Sequence, residues 1–158
     1  MEIHKIQQGQ IELVNNEKSE ASLLNSISQE LTKHRAHDIH CESHQLQFKS
    51  GFLRTELNPL AGISSGLVTV SINNNKFIVS YILELKHLFT WAVLAVAIIL
   101  SIGIFNSHNL TISYAASLVI GSSLVYLFIY YGYYGIISTR FNNLLNRANI
   151  NLKSANKR

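Results

Sequence analysis

The chain has 158 residues and a net charge of +4 at neutral pH, but its charges are unevenly placed. All nine acidic residues lie at or before Glu84. The charged residues of the C-terminal part are all basic, namely Arg140, Arg147, Lys153, Lys157 and Arg158. The basic excess belongs to this tail, which favours a membrane surface over nucleic acid as a partner. The single cysteine, Cys41, excludes an internal disulfide and is typical of a reducing compartment.

The first predicted element is an extended segment over residues 1–14. Its apolar residues are interrupted at Gly9, which predicts a short hairpin or a bulged strand. The start of the chain lacks the pattern of a cleavable signal peptide, so we expect insertion into a membrane to depend on later segments.

A helix is predicted next, with Asn16 as its N-cap and with Glu17 and Glu20 near its positive end. Lys33, His34 and Arg35 are suited to its negative end. Four apolar residues form one stripe at helical spacing: Leu23, Leu24, Ile27 and Leu31. The stripe predicts that one face of the helix packs on a sheet.

The segment after this helix concentrates four of the seven histidines and the only thiol: His34, His37, His40, Cys41 and His44. Imidazole and thiolate groups are ligands for zinc or copper, so this cluster is a candidate zinc site or pH sensor. Its spacing matches no closed structural zinc pattern. We therefore favour solvated histidines at a helix end and on a sheet edge.

Predicted strands cover residues 37–49, residues 52–57, residues 67–72 and residues 76–85. The last two show regular alternation across an Asn73-Asn74-Asn75 turn, which predicts an antiparallel hairpin. The fold class predicted for residues 1–86 is an α+β cytosolic domain with one helix on a mainly antiparallel sheet.

A two-helix transmembrane hairpin is predicted over residues 87–138, because no Asp, Glu, Lys or Arg occurs between Lys86 and Arg140. The spans are predicted at about residues 88–105 and 112–137. The connecting segment has no basic residue, whereas Lys86 and Arg140 flank the pair, so the positive-inside rule places both termini in the cytosol. We expect a multi-pass protein of the plasma (inner) membrane.

Aromatic side chains are predicted to lie at the membrane interface, where amphipathic rings are stable without any ligand. They are Trp91, Tyr130, Tyr131, Tyr133 and Tyr134. A ligand-binding face formed by the tyrosines is the less favoured alternative.

The tail, residues 139–158, is predicted to continue the second span as a basic amphipathic helix. Its predicted contact residues are Phe141, Leu144, Leu145 and Arg147. It could lie on the inner leaflet against anionic lipid headgroups, dock on the cytosolic domain, or bind a partner, in that order of preference.

No catalytic, phosphate-binding or dinucleotide motif occurs, and the spans lack ionisable residues that would mark an ion path. The sequence therefore favours a non-enzymatic, membrane-anchored interaction or assembly module. Its expected partners are the lipid bilayer and an unidentified protein or further copies of the chain. The alternative is a metal or pH sensor built on the histidine cluster. The layout resembles that of small bacterial membrane proteins, and the Asn-, Ile- and Lys-rich usage agrees with a bacterial source.

Overall fold

A computed structural model describes residues 6–14, 19–52, 58–106 and 112–154. Within these ranges the chain forms five strands and three helices. They are β1 (Ile6–Val14), α1 (Glu20–Lys33), β2 (His37–Glu42), β3 (Gln45–Lys49), β4 (Ser65–Asn73), β5 (Lys76–Glu84), α2 (Lys86–Asn106) and α3 (Ile112–Ser154). The strands form one sheet in the order β1-β5-β4-β3-β2, and every neighbouring pair is antiparallel. The predicted mixture of helix and antiparallel sheet is confirmed.

The β4–β5 hairpin agrees closely with its prediction. Asn73 pairs with Lys76, and Asn74 and Asn75 between them have φ angles of 46° and 62°. A two-residue connection with both angles positive matches the twist of the flanking strands, and asparagine tolerates this conformation better than most residues. The local turn chemistry therefore sets the register of the whole hairpin.

The N-terminal strand β1 differs from its prediction, because it contains neither a hairpin nor a bulge within the described residues. Its pairing with β5 runs without interruption from Ile6 opposite Glu84 to Val14 opposite Lys76. Gly9 lies opposite Tyr81, and a Cβ atom at this position would lie 2.3 Å from the tyrosine ring. Gly9 therefore makes room for an aromatic ring. Residues 1–5 of the predicted segment lie outside the described residues.

Helix α1 begins later than predicted. Ser19 is its N-cap, and the Ser19 side chain accepts a hydrogen bond from the Ser22 backbone N–H at 3.3 Å. The predicted cap Asn16 and its neighbour Glu17 lie outside the described residues. The predicted apolar stripe is confirmed, since all four of its side chains are buried: Leu23, Leu24, Ile27 and Leu31.

The predicted strand over residues 37–49 is a hairpin of β2 and β3, with an irregular register between His37 and His40 and a φ of 50° at Asp38. After β3, Phe52 lies in a bend. The remainder of the strand predicted over residues 52–57 falls on residues 53–57, outside the described residues.

Helix α3 is continuous over 43 residues, so the tail extends the second apolar segment without a break. Its C-terminal half lies on the same face of the sheet as α1. The Phe141 ring stacks on Phe48 of β3 at 6.0 Å and meets Tyr81 of β5 edge-on at 4.9 Å. Two helices thus cover this face, where one was predicted. We call the sheet, α1 and the C-terminal half of α3 the α+β layer.

Helices α2 and α3 are each long and apolar enough to cross a membrane. Only 11% of the most apolar window in each helix is buried, so most of their apolar side chains face outward. The two helices touch where Gly103 meets Leu118: a Cβ atom added to Gly103 would lie 2.6 Å from that side chain. This close approach holds the distal halves of the pair together.

Candidate functional site

The apolar stripe of the tail is part of the core of the α+β layer. Phe141, Leu144 and Leu145 are buried together with Ala148, whereas Arg147 is exposed. The tail therefore packs on the layer, which was the second of the three alternatives, and the preferred position on the inner leaflet is wrong for these three apolar side chains. The reason is physical: α3 continues without a break and brings the stripe against an aromatic sheet face.

Polar contacts fix α3 against the layer. The Ser26 hydroxyl donates to the Ala148 carbonyl at 2.6 Å, and the Gln7 side-chain amide donates to the Tyr134 carbonyl at 3.0 Å. The Glu30 carboxylate accepts from the Asn151 amide at 2.7 Å. Since buried polar groups cost free energy unless they are paired, these contacts specify one orientation of the helix.

The five aromatic residues predicted at the membrane interface lie in different surroundings. Tyr130 is buried, Tyr131 is 67% exposed, and Tyr133 and Tyr134 pack partly against the core of the layer. Trp91 is 41% exposed, and its ring stacks on Phe52 at 5.0 Å. Three of the four tyrosines thus connect α3 to the layer, and Tyr131 and Trp91 are the two that face outward.

The histidine and cysteine residues of the candidate zinc site are not brought together. His34 ends α1, while His37, His40 and Cys41 lie on β2 with exposed side chains. His44 lies in the β2–β3 turn, and its Nδ1 contacts the Glu20 carboxylate at the start of α1. In the described parts of the chain, no three His, Cys, Asp or Glu side chains are placed to hold one metal ion.

Two groups in this segment have shifted pKa values. The hydrogen bond from Lys49, and the charge of that lysine, lower the pKa of the exposed Asp38 carboxyl. The ion pair with Lys49 is therefore lost only as pH falls through a value below the ordinary Asp pKa. Partial desolvation raises the pKa of the Cys41 thiol. The raised pKa lowers the fraction of Cys41 that is thiolate, the nucleophilic form, at neutral pH.

The face of the sheet opposite the helices, which we call the open face, carries a shallow groove of about 430 Å³. Its lining includes the apolar residues Leu67 and Ile82 and the charged residues Asp38, Lys49 and Glu84. Ile6, Val14 and Ile82 are exposed apolar residues of this sheet. None of the described helices covers the open face.

Two further depressions adjoin the segment 58–64, between β3 and β4. We call the first the basic cleft; it measures about 170 Å³ and is lined by His34, Pro59, Arg140, Asn143, Leu144 and Arg147. We call the second the apolar cavity; it measures about 540 Å³ and is lined by Phe52, Ala61, Gly62, Leu88, Trp91, Ala95, Ile129 and Tyr133.

The sequence indicated only a loop here, marked by Pro59 and the stretch 62–66, and did not predict that the segment 58–64 helps to form both depressions. Leu60 and Ile63 are fully buried, and Gly62 has a φ of 85° that favours glycine. The Gly62 carbonyl accepts a hydrogen bond from the Leu88 backbone N–H at 3.1 Å. The available signal was two apolar residues, Leu60 and Ile63, within a turn-rich stretch that contains Pro59 and Gly62.

Comparisons of this chain with protein-family models, with curated proteins and with solved structures each return no match.

Proposed function

We propose that this chain is a non-enzymatic, membrane-anchored interaction module of the bacterial inner membrane. In this proposal α2 and α3 cross the bilayer as a hairpin, both ends of the chain lie in the cytosol, and the α+β layer lies against the inner face. The outward-facing apolar surfaces of α2 and α3 support this arrangement. A core helix of a soluble protein would be mostly buried, whereas only 11% of each apolar window is buried here.

The charges support the proposed orientation. No Asp, Glu, Lys or Arg occurs in residues 87–139, and Lys86 and Arg140 stand at the ends that join the layer. Basic residues are favoured on the cytosolic side of a span. The layer would therefore lie in the cytosol.

One observation carries the proposed function: the apolar hairpin and the layer are joined at two places without flexible linkers. Helix α3 passes from its apolar half into the core of the layer as one continuous helix. Strand β5 ends at Glu84 and α2 begins at Lys86, so only the buried Leu85 separates them. A layer held in this way presents its open face at a fixed height and angle to the membrane, which suits a docking surface for a protein partner.

The topology can be tested with the native cysteine. A membrane-impermeant maleimide should label Cys41 in inside-out vesicles and leave it unlabelled in sealed right-side-out vesicles. In a Cys41→Ser background, a Ser107→Cys variant should give the opposite pattern. Labelling of both positions from one side would overturn the hairpin.

The interaction role needs a separate experiment in native membranes. A photo-crosslinking residue at Thr69 on the open face should give a discrete protein adduct. The same residue at Asn25, which is exposed on α1, is the matched control and should give none. An adduct at Thr69 that an Ile82→Lys substitution abolishes would support docking on the open face. The absence of any adduct specific to this face would overturn it.

A further inference from the structure

The basic cleft and the apolar cavity follow one face of α3. Ile129 and Tyr133 line the cavity, and Arg140, Asn143 and Arg147 line the cleft. Steps of three, four and seven residues keep side chains on one face of a helix. Tyr133 and Arg140 are two turns apart, which corresponds to about 10 Å along the axis. The two depressions are therefore consecutive along α3.

The segment 58–64 also joins the two depressions, because Pro59 lines the cleft while Ala61 and Gly62 line the cavity. Hydrogen bonds hold this segment at Asn58 and at Gly62. The Asn58 amide donates to the His34 carbonyl at 3.2 Å, and the Leu88 N–H donates to the Gly62 carbonyl at 3.1 Å. The depressions thus share a fixed wall.

The cavity is suited to a hydrocarbon chain. Leu88, Trp91 and Ala95 of α2 line one side at helical spacing, and Phe52 stacks on Trp91 near the first turn of the helix. Ala95 lies seven residues beyond Leu88, so the cavity extends about 10 Å along α2. Its volume of about 540 Å³ is within the range of sites that hold small organic ligands.

The cleft is suited to a phosphate group. Its six lining residues include two guanidinium groups and one imidazole. Arginine binds phosphate through a planar fork of N–H donors, and such charge-assisted hydrogen bonds are stronger than neutral ones. The Asn143 amide at the same wall supplies a further donor.

We propose that the chain binds one anionic phospholipid of the inner leaflet, with an acyl chain in the apolar cavity and the phosphate in the basic cleft. The proposal rests on the membrane location given above. Occupation of both depressions would distinguish a lipid from a free phosphate ion, because a free phosphate ion would occupy only the cleft. Arg140 and Arg147 supply the positive charge of the cleft, while the apolar stripe of the tail is used for packing.

The test measures lipid binding to the purified full chain in a neutral detergent by native mass spectrometry. Phosphatidylglycerol should remain bound, and phosphatidylcholine should bind at least about tenfold more weakly. The double variant Arg140→Gln/Arg147→Gln should lose this preference, while Lys153→Gln, the basic control on α3, should keep it. Ala95→Trp should fill the cavity and weaken binding, while Ala97→Trp, an exposed neighbour on α2, should not.

Three outcomes would overturn the proposal: equal binding of both lipids, unchanged binding in the Arg140/Arg147 variant, or displacement of the lipid by inorganic phosphate at similar concentration. Thermal unfolding of each variant, compared with the wild type, separates lost binding from lost folding. The result does not depend on topology, since the protein is in detergent. Maleimide labelling of Cys41 tests the membrane arrangement independently, so the two proposals can fail separately.

Discussion

Gly9 and Tyr81 form a close contact that a side chain at residue 9 would break. A Cβ atom at Gly9 would lie 2.3 Å from the Tyr81 ring, whose hydroxyl is 3.0 Å from the Ser138 hydroxyl. Gly9→Ala should therefore destabilise the folded state by about 1–3 kcal/mol, the usual cost of overpacking a core. Gln10→Ala, at the exposed neighbouring position, is the control. Thermal unfolding in detergent measures both, and equal melting temperatures would contradict the contact.

Cys41 gives a second prediction, concerning pH. Maleimide reacts with the thiolate, and desolvation raises the pKa of this thiol, so the neutral form predominates at neutral pH. The labelling rate should rise about tenfold per pH unit and should continue to rise beyond about pH 8.5, the ordinary cysteine pKa. A Ser71→Cys variant in a Cys41→Ser background is the exposed reference. A plateau for Cys41 at lower pH than for this reference would contradict the raised pKa.

At the scale of elements, α3 is expected to act as one rigid unit. Inserting one alanine after Ile137 rotates the following residues by about 100° and turns Phe141 and Leu145 away from the sheet. The layer should then lose cooperative unfolding and become sensitive to limited proteolysis, while α2 and the apolar half of α3 still form their hairpin. The same insertion after Ser154, at the end of α3, should have little effect. Retained cooperative unfolding after the first insertion would show that the two halves of α3 are independent.

The elements that sequence reasoning predicted well are those whose signals are local. The stripe of α1 and the Asn74-Asn75 turn each lie within one element or one connection, and the structure reproduces both. The position of the tail depends on contacts between Phe141 and residues of β3 and β5 that are distant in sequence. An amphipathic stripe indicates that one face is covered, but it does not identify what covers it.

The same reasoning explains the outcome for the candidate sites. The histidine-rich segment was conspicuous in composition, yet a helix end, an irregular strand and a turn place its side chains apart. The basic composition of the tail indicated an anionic partner, but it did not locate the basic cleft or the apolar cavity, because separate parts of the chain line them, chiefly α2, α3 and the segment 58–64. Such sites become visible only when tertiary contacts are known.

At the scale of the whole molecule, the core of the layer needs residues from both sides of the hairpin. A fragment of residues 1–86 lacks Phe141, Leu144 and Leu145, whose side chains are buried in the folded chain. Removing one large buried side chain costs about 2–5 kcal/mol. The free energy of unfolding of a domain is only about 5–15 kcal/mol, so the loss of three such side chains is comparable to it. We expect this fragment to be unfolded or to aggregate.

Joining residues 1–86 to residues 138–158 through a flexible Gly/Ser linker should restore folding. We expect dispersed amide signals in a ¹H–¹⁵N NMR spectrum of the joined chain. The spectrum of residues 1–86 alone should instead show poorly dispersed signals. A matched variant of the joined chain with Phe141→Asp should remain unfolded. Well-dispersed signals from residues 1–86 alone would contradict the shared core.

This division of the core has a consequence for biogenesis. The layer cannot complete its packing until α3 has been synthesised, because α3 supplies part of its core. In the proposed membrane arrangement, α3 reaches the sheet only if both apolar helices have inserted with the proposed orientation. A chain whose last helix was left on the far side of the bilayer would keep the hydrophobic surface of its sheet uncovered. Proteases and chaperones act on such surfaces. In the proposed arrangement, correct insertion and survival in the cell are therefore expected to be coupled.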